Sequence, residues 1–264
     1  MTSLKASDLP DETRLQPAQC ESHGPFDQRV MDVLPGMAPL LSRCPACVAD
    51  AAAAADAMAK RQASAERLMT VKRLTGDSGI PPRFRDRTFA SYAPDSKGSK
   101  TALSVCRRYA QDFAAQSAQG RSLVLTGGPG TGKTHLACAV GNQVIEQDLA
   151  AVRFVTVSEM LRCIKETYRK DATTSESDVI AGFVGCDLLI VDEIGVQVGS
   201  EHEKLLLFEV LNGRYQNLAP TILISNLSAD ELEKFLGHRV MDRYRECGVV
   251  LAFDWESYRG RRAA

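Results

Sequence analysis

Leu123-Val124-Leu125-Thr126-Gly127-Gly128-Pro129-Gly130-Thr131-Gly132-Lys133-Thr134-His135 decides the fold of this chain. An apolar run, a glycine loop and the helical pattern Leu136, Ala137, Ala139, Val140 follow in order, and Gly127–Thr134 fills every fixed position of the phosphate-gripping form G-x-x-x-x-G-K-[ST]. The glycines let the backbone wrap an anion, and amide N–H groups at a helix N-terminus point at phosphate oxygens. Lys133 places a charge by the β and γ phosphates, Thr134 offers a hydroxyl to magnesium, and residues 127–135 are the expected nucleotide-binding set. A glycine-rich turn that carries a lysine by chance is the alternative, and the flanking strand and helix patterns favour the nucleotide.

The second half of such a site follows downstream, where Leu188-Leu189-Ile190-Val191 runs into Asp192-Glu193. An unbroken apolar strand of this kind is buried on both faces of a parallel sheet. At its end Asp192 is expected to hold magnesium through water, and Glu193 to orient or deprotonate an attacking water. An acidic pair at a strand end is common by itself. Paired with the loop, it turns a nucleotide binder into an expected ATP hydrolase.

With 264 residues the chain has room for one full domain and an appendage. Its net charge is −1, so any nucleic-acid contact has to come from a local groove rather than a global basic field. The opening Met1–Asp8 has no apolar signal core, and no run approaches the ~20 residues of a membrane span, so a cytoplasmic address without a membrane partner is expected. Of eight cysteines, Cys106, Cys138, Cys163, Cys186 and Cys247 are scattered singly and read as free thiols in a reducing compartment. The other three are grouped with a histidine.

Cys20-x-x-His23 and Cys44-x-x-Cys47 flank a turn-rich segment and form a template for a closed tetrahedral zinc site, a staple for a segment too short to build a core. Four protein ligands leave no open position for catalysis. A disordered leader with coincidental cysteines is the alternative. Residues 1–48 are thus expected to be a zinc-binding, partner-binding segment and 49–77 a linker helix, alanine-rich between Ala49 and Leu74. That helix reads either as a solvated connection or as a spacer that binds a partner. Gly76-Asp77-Ser78-Gly79 and Pro81-Pro82 mark its end and the start of the main domain, 78–264.

Within that domain, strands are expected at Ser122–Thr126, Val152–Val157, Asp187–Val191, Thr221–Ser225 and Val249–Phe253. Helices are expected after Lys133, Ser158, Glu201, Ala229 and Arg239, with Ser228-x-x-Glu231 as a capping box. This alternation implies an α/β fold with a mainly parallel five-stranded sheet.

At this point the chain resembles the AAA+ ATPases of the bacterial replicative-helicase-loader type, DnaC-like proteins. The likeness spans about residues 78–262 and rests on Ser78–Phe84, Val191–Gln197, Leu236–Arg243 and Asp254–Arg259 as well as the loop. The Cys/His leader is similar to that of zinc-bearing versions in Gram-positive bacteria and phages. The resemblance implies that residues 1–75 grip a replicative helicase and that ATP sites join neighbouring subunits on it. It makes Asn226 the sensor that aligns water, where the residue alone would read as a turn former. It also places Arg239 and Arg243, on one helix face, in a neighbour's site, and Arg259 against the γ phosphate in cis. For those two arginines a solvated basic face is the plainer reading.

Single-stranded DNA is the other implied ligand, contacted through Lys165, Tyr168, Ser200 and His202, although Lys165–Lys170 on its own reads at least as well as the end of a short amphipathic helix. His202 stands where the enterobacterial relative has a tyrosine, which puts stacking there in question. A transposition helper of the IstB type is the nearest alternative. A small-molecule kinase would need a lid and an acceptor pocket, and a binding module without turnover would have no use for Glu193.

Overall fold

The computed structural model describes residues 13–32, 37–196 and 200–258. Contacts divide the chain into two compact units, residues 1–68 and 69–264. Arg259 and Gln197, both singled out above, lie outside the described residues.

In the first unit β1 (Thr13–Cys20) and β2 (Gly24–Met31) form an antiparallel hairpin, with the short β3 (Leu40–Leu41) paired to β2. The turn residues of this stretch belong to a hairpin that no apolar alternation announces. Exposure alternates along β2 until Val30, which is buried. Helix α1 (Pro45–Asp77) follows. Pro45 suits its first position, where a missing N–H costs nothing. Residues 49–69 are exposed, so alanine, lysine, arginine and glutamate hold this stretch as a helix by propensity rather than burial. The last turns, from residue 69 on, belong to the second unit, in whose core Leu74 is buried and against which Val71 packs.

The second unit opens with a single 3₁₀ turn, Pro82–Phe84, and then α2 (Lys97–Gln111) and α3 (Phe113–Ala118). There follow β4 (Ser122–Gly127), α4 (Lys133–Asp148), β5 (Val152–Thr156), α5 (Val157–Glu166) and α6 (Glu176–Val184). The rest is β6 (Leu188–Ile194), α7 (Glu201–Gln216), β7 (Thr221–Ser225), α8 (Ala229–Leu236), α9 (His238–Glu246) and β8 (Gly248–Phe253). The sheet has the order β5-β6-β7-β4-β8, and every pairing in it is parallel.

Alternation of side chains along each strand divides the core into two layers. Leu123, Leu125, Leu188, Ile190, Ile222 and Ile224 join the layer under α2 and α4. Val124, Leu189, Val191 and Leu223 join the layer under α5 to α9. The five strands and five helices read from the sequence are all present, whereas α2, α3 and α6 were not foreseen. Caps would have found two of them: Ser96 and Ser99 form a reciprocal box at α2, and Ser175 and Asp178 form another at α6.

Candidate functional site

Strand β7 lies between β6 and β4, so the carboxyl ends of these three strands sit side by side, where open α/β sheets bind ligands. Gly127 ends β4, Asp192 and Glu193 stand just before Ile194, the last residue of β6, and Asn226 follows β7 directly. The topology therefore sets Asn226 between the glycine loop and the acidic pair.

Gly132 caps α4 at φ 96°, and a Cβ there would lie 2.6 Å from Tyr92 Cε2, so only glycine fits. Lys133, 4% exposed, donates through Nζ to the carbonyls of Gly127 at 2.6 Å and Gly128 at 2.7 Å. Thr134 Oγ1 donates to Asp192 Oδ2 at 2.9 Å. Burial pushes the Asp192 carboxyl above the usual carboxylate range, while Thr134, the Glu193 N–H and Lys133 pull it back. A hydroxyl and a carboxylate in direct contact beside a phosphate loop fit magnesium, and Thr134 and Asp192 would hold it. The Glu193 N–H donates to Asp192 Oδ1 at 2.7 Å, and Glu193 itself stands exposed at φ 62°. Such strain in a side chain with a Cβ is kept where surrounding structure fixes it, here at a bulge in the β6–β7 ladder.

The sequence did not assign the groups that brace the loop. Tyr92 Oη and Trp255 Nε1 both donate to the Thr131 carbonyl, at 3.3 Å and 3.0 Å, and the Tyr258 N–H donates to the Gly130 carbonyl at 3.0 Å. His135 packs edge-on to Tyr92 and contacts the Thr88 carbonyl and the Ser91 hydroxyl, so it belongs to the brace. Burial lowers its pKa. No local pattern marks these contacts, because Tyr92 and Trp255 reach the loop from far along the chain.

Arg239 and Arg243 share α9, but their settings differ. Arg239 is exposed, while Arg243 donates to Asn212 Oδ1 and lies 5.2 Å from the Tyr215 ring centroid, against α7. The four residues assigned to DNA converge where α5 ends and α7 begins. Tyr168 Oη is 3.2 Å from His202 Nε2 and also bonds Glu176. Lys165 Nζ pairs with Glu203 Oε1 at 2.6 Å, and Ser200 caps α7 through the Glu203 N–H at 3.3 Å. Glu176 and Glu203 thus set carboxylates among the residues expected to meet phosphate, and no sequence pattern marks them.

In the first unit, Cys20 and His23 flank the hairpin turn and Cys44 and Cys47 the start of α1, with their ligand atoms all within 4.8 Å of one another. Sγ of Cys20 and Cys47 are 3.4 Å apart, and His23 Nδ1 is 3.7 Å and 3.3 Å from them. Bond lengths of ~2.3 Å to sulfur imply tetrahedral edges of about 3.8 Å, so three thiols and an imidazole at this spacing suit zinc. Hydrogen bonds from the Ser22 backbone, then from His23 and Cys47, draw the Cys20 thiol down to about 6, while the same contact pushes the Cys47 thiol up to about 11, so without a metal the two share one proton. His23 Nε2 lies 2.8 Å from Asp50 Oδ2. That carboxylate, one turn along α1 from Cys47, directs Nδ1 at the thiols and escaped the sequence reading.

Among the described residues no helix is long and apolar enough to cross a membrane. The profile of the family described as IstB-like ATP binding protein matches residues 88–263, which take in the whole nucleotide site and leave out the Cys/His unit. The replicative helicase loader DnaC of Escherichia coli strain K12 is 36% identical over 192 residues, covering 72% of this chain and 76% of that protein. DnaC of Buchnera aphidicola subsp. Schizaphis graminum is 33% identical over 190 residues, with shares of 72% and 76%. The crystal structure of the DnaC helicase loader matches with a TM-score of 0.59 at 23% identity, over 65% of this chain and 99% of that one. AMPPCP-bound DnaA from Aquifex aeolicus matches at 0.54 and 20% identity, over 66% of this chain and 50% of that one, and shares the AAA+ fold. With a complete nucleotide loop, its acidic partner strand and this identity to DnaC, the chain belongs to the IstB-like ATP-binding family, in its DnaC-type branch.

Proposed function

We propose that this protein loads a replicative DNA helicase, using ATP as the switch that sets when the helicase is held and released. The observation that carries this reading is the 36% identity to DnaC over 192 residues, in a chain whose loop, Asp192–Glu193 pair and Asn226 sit together at one sheet edge. Lys133 and the loop amides bind the phosphates, Glu193 and Asn226 orient water, and Arg239 or Arg243 of a neighbouring subunit meets the charge that develops on the transferred group. Arg259 acts in cis, and hydrolysis is slow until DNA or the helicase completes the site. A finger face meeting the next subunit's loop face is a heterologous contact, which builds a ring or an open helix on the helicase.

Residues 1–75 grip the helicase, with zinc on Cys20, His23, Cys44 and Cys47 as the staple of that unit. Single-stranded DNA meets Lys165, Tyr168, Ser200 and His202, and the protein works in the cytoplasm. For the metal, elemental analysis of the purified full chain is expected to give one zinc, lost in Cys44→Ser and Cys47→Ser. A metal-free wild type would refute the staple.

The decisive experiment is affinity capture from the native cell lysate with ATP, using the full chain and a variant lacking residues 1–75. A hexameric replicative helicase is expected with the full chain only. Recovery of a transposase instead would favour the IstB-type transposition helper, the second reading that the family match keeps in view.

A further inference from the structure

A second cluster of cations stands apart from the residues so far assigned to DNA. Helix α2 carries Lys97, Lys100, Arg107 and Arg108 with no acidic residue between Lys97 and Gln111, and all four are exposed. Among the described residues, no carboxylate lies within ion-pair distance of any of them. Lys165, by contrast, is tied to Glu203. Arg107 lies 5.9 Å over the Phe89 ring and leaves the other three on a single face. That face is a shallow groove of about 520 Å³ lined by Lys97, Lys100, Thr101, Ser104, Val105 and Arg108.

We infer that this groove is a second nucleic-acid contact, one that reads the sugar-phosphate backbone without regard to sequence. From Lys97 to Arg108 the helix rises roughly 16 Å, long enough to face several successive phosphates of an extended strand. Exposed Thr101 and Ser104 supply hydroxyls between the cations, the groups that commonly bond phosphate oxygens. The lining favours this ligand over other anionic partners. A membrane surface needs an apolar face, and Val105, the one apolar lining residue, is half-buried and packed on the core. A protein partner needs an apolar or aromatic centre, which the groove lacks. With a net charge of −1 for the whole chain, attraction here is local to α2. The inference goes beyond the loader reading, since it concerns a helix that no step of that reading uses.

The test is fluorescence anisotropy of the full chain with ATP and a labelled 20-nucleotide oligothymidine, measured across salt concentrations. Lys100→Gln with Arg108→Gln removes two contacts, so the slope of log K against log salt is expected to become shallower by about 1.4, and affinity at 0.1 M salt to fall roughly tenfold or more. The charge-keeping pair Lys100→Arg with Arg108→Lys is expected to hold the wild-type slope. Helicase capture by the glutamine pair should stay at wild-type level, which separates this site from the partner-binding reading. An unchanged slope in the glutamine pair would overturn the inference. So would a wild type whose α2 charges govern binding to phosphatidylserine vesicles but not to DNA.

Discussion

Replacing Glu193 with glutamine is expected to cut ATP turnover by a factor of 10²–10⁴, the usual contribution of a positioned general base, while leaving nucleotide affinity near wild type. The substitution keeps the volume and the backbone N–H to Asp192 Oδ1, so the loop contacts that bind phosphate stay in place. Phosphate release in steady state and nucleotide titration separate the two quantities. A variant that turns over within threefold of wild type would remove Glu193 from the chemistry, and a wild type with no turnover above background would revive the reading of a binding module. The same variant tests the arginine in trans. Mixed with Arg243→Ala chains in the presence of the assembly partner, it should regain part of the lost turnover, because some joints then pair an intact Glu193 with an intact Arg243. No recovery at any mixing ratio would leave Arg243 with the role seen within one chain, bracing α9 on α7 through Asn212.

The largest expected loss of stability belongs to Arg214. Its side chain is fully buried, and it donates to the carbonyls of Phe183, Val184, Cys186 and Pro220 and to Thr221 Oγ1. These acceptors are the orphan carbonyls at the end of α6 and the approaches to β6 and β7, so the guanidinium meets the negative end of a helix dipole and ties three elements together. Burial lowers its pKa, yet arginine stays protonated because its ordinary value is so high. Arg214→Met keeps much of the stem and leaves several buried carbonyls unpaired, at about 1–3 kcal/mol each and less than additively. A loss of about 4 kcal/mol is expected, read as a lower denaturant midpoint at unchanged slope. A loss under about 1 kcal/mol would mean that water takes over these carbonyls.

The parts of the fold that were legible were those whose signal is local. Leu123–Leu125 and Leu188–Val191 read as buried strands because both faces are covered, and Gly127–Thr134 carries its geometry in its own residue types. Ser228 and Glu231 located α8 by the same local rule. The first hairpin was hidden because Pro17 interrupts β1 and most of its side chains are exposed, leaving no apolar alternation to follow. The gathering of Cys20, His23, Cys44 and Cys47 was legible from spacing, whereas Asp50, an ordinary exposed acid of a polar helix, gains meaning only when the hairpin brings His23 to it. Glu203 and Glu176 were opaque for a related reason: their significance lies in which cation or phenol they face across two helices.

The carbonyl of Thr131 receives two donors that lie 163 residues apart in the chain, Tyr92 from the segment before α2 and Trp255 from the segment after β8. One oxygen atom thereby acts as a common hinge pin for the entrance and the exit of the domain. A shift of the phosphate loop cannot strain one of these segments without straining the other. The phosphate loop is thus fastened, through two short levers that share a fulcrum, to both the segment that enters the domain and the one that leaves it.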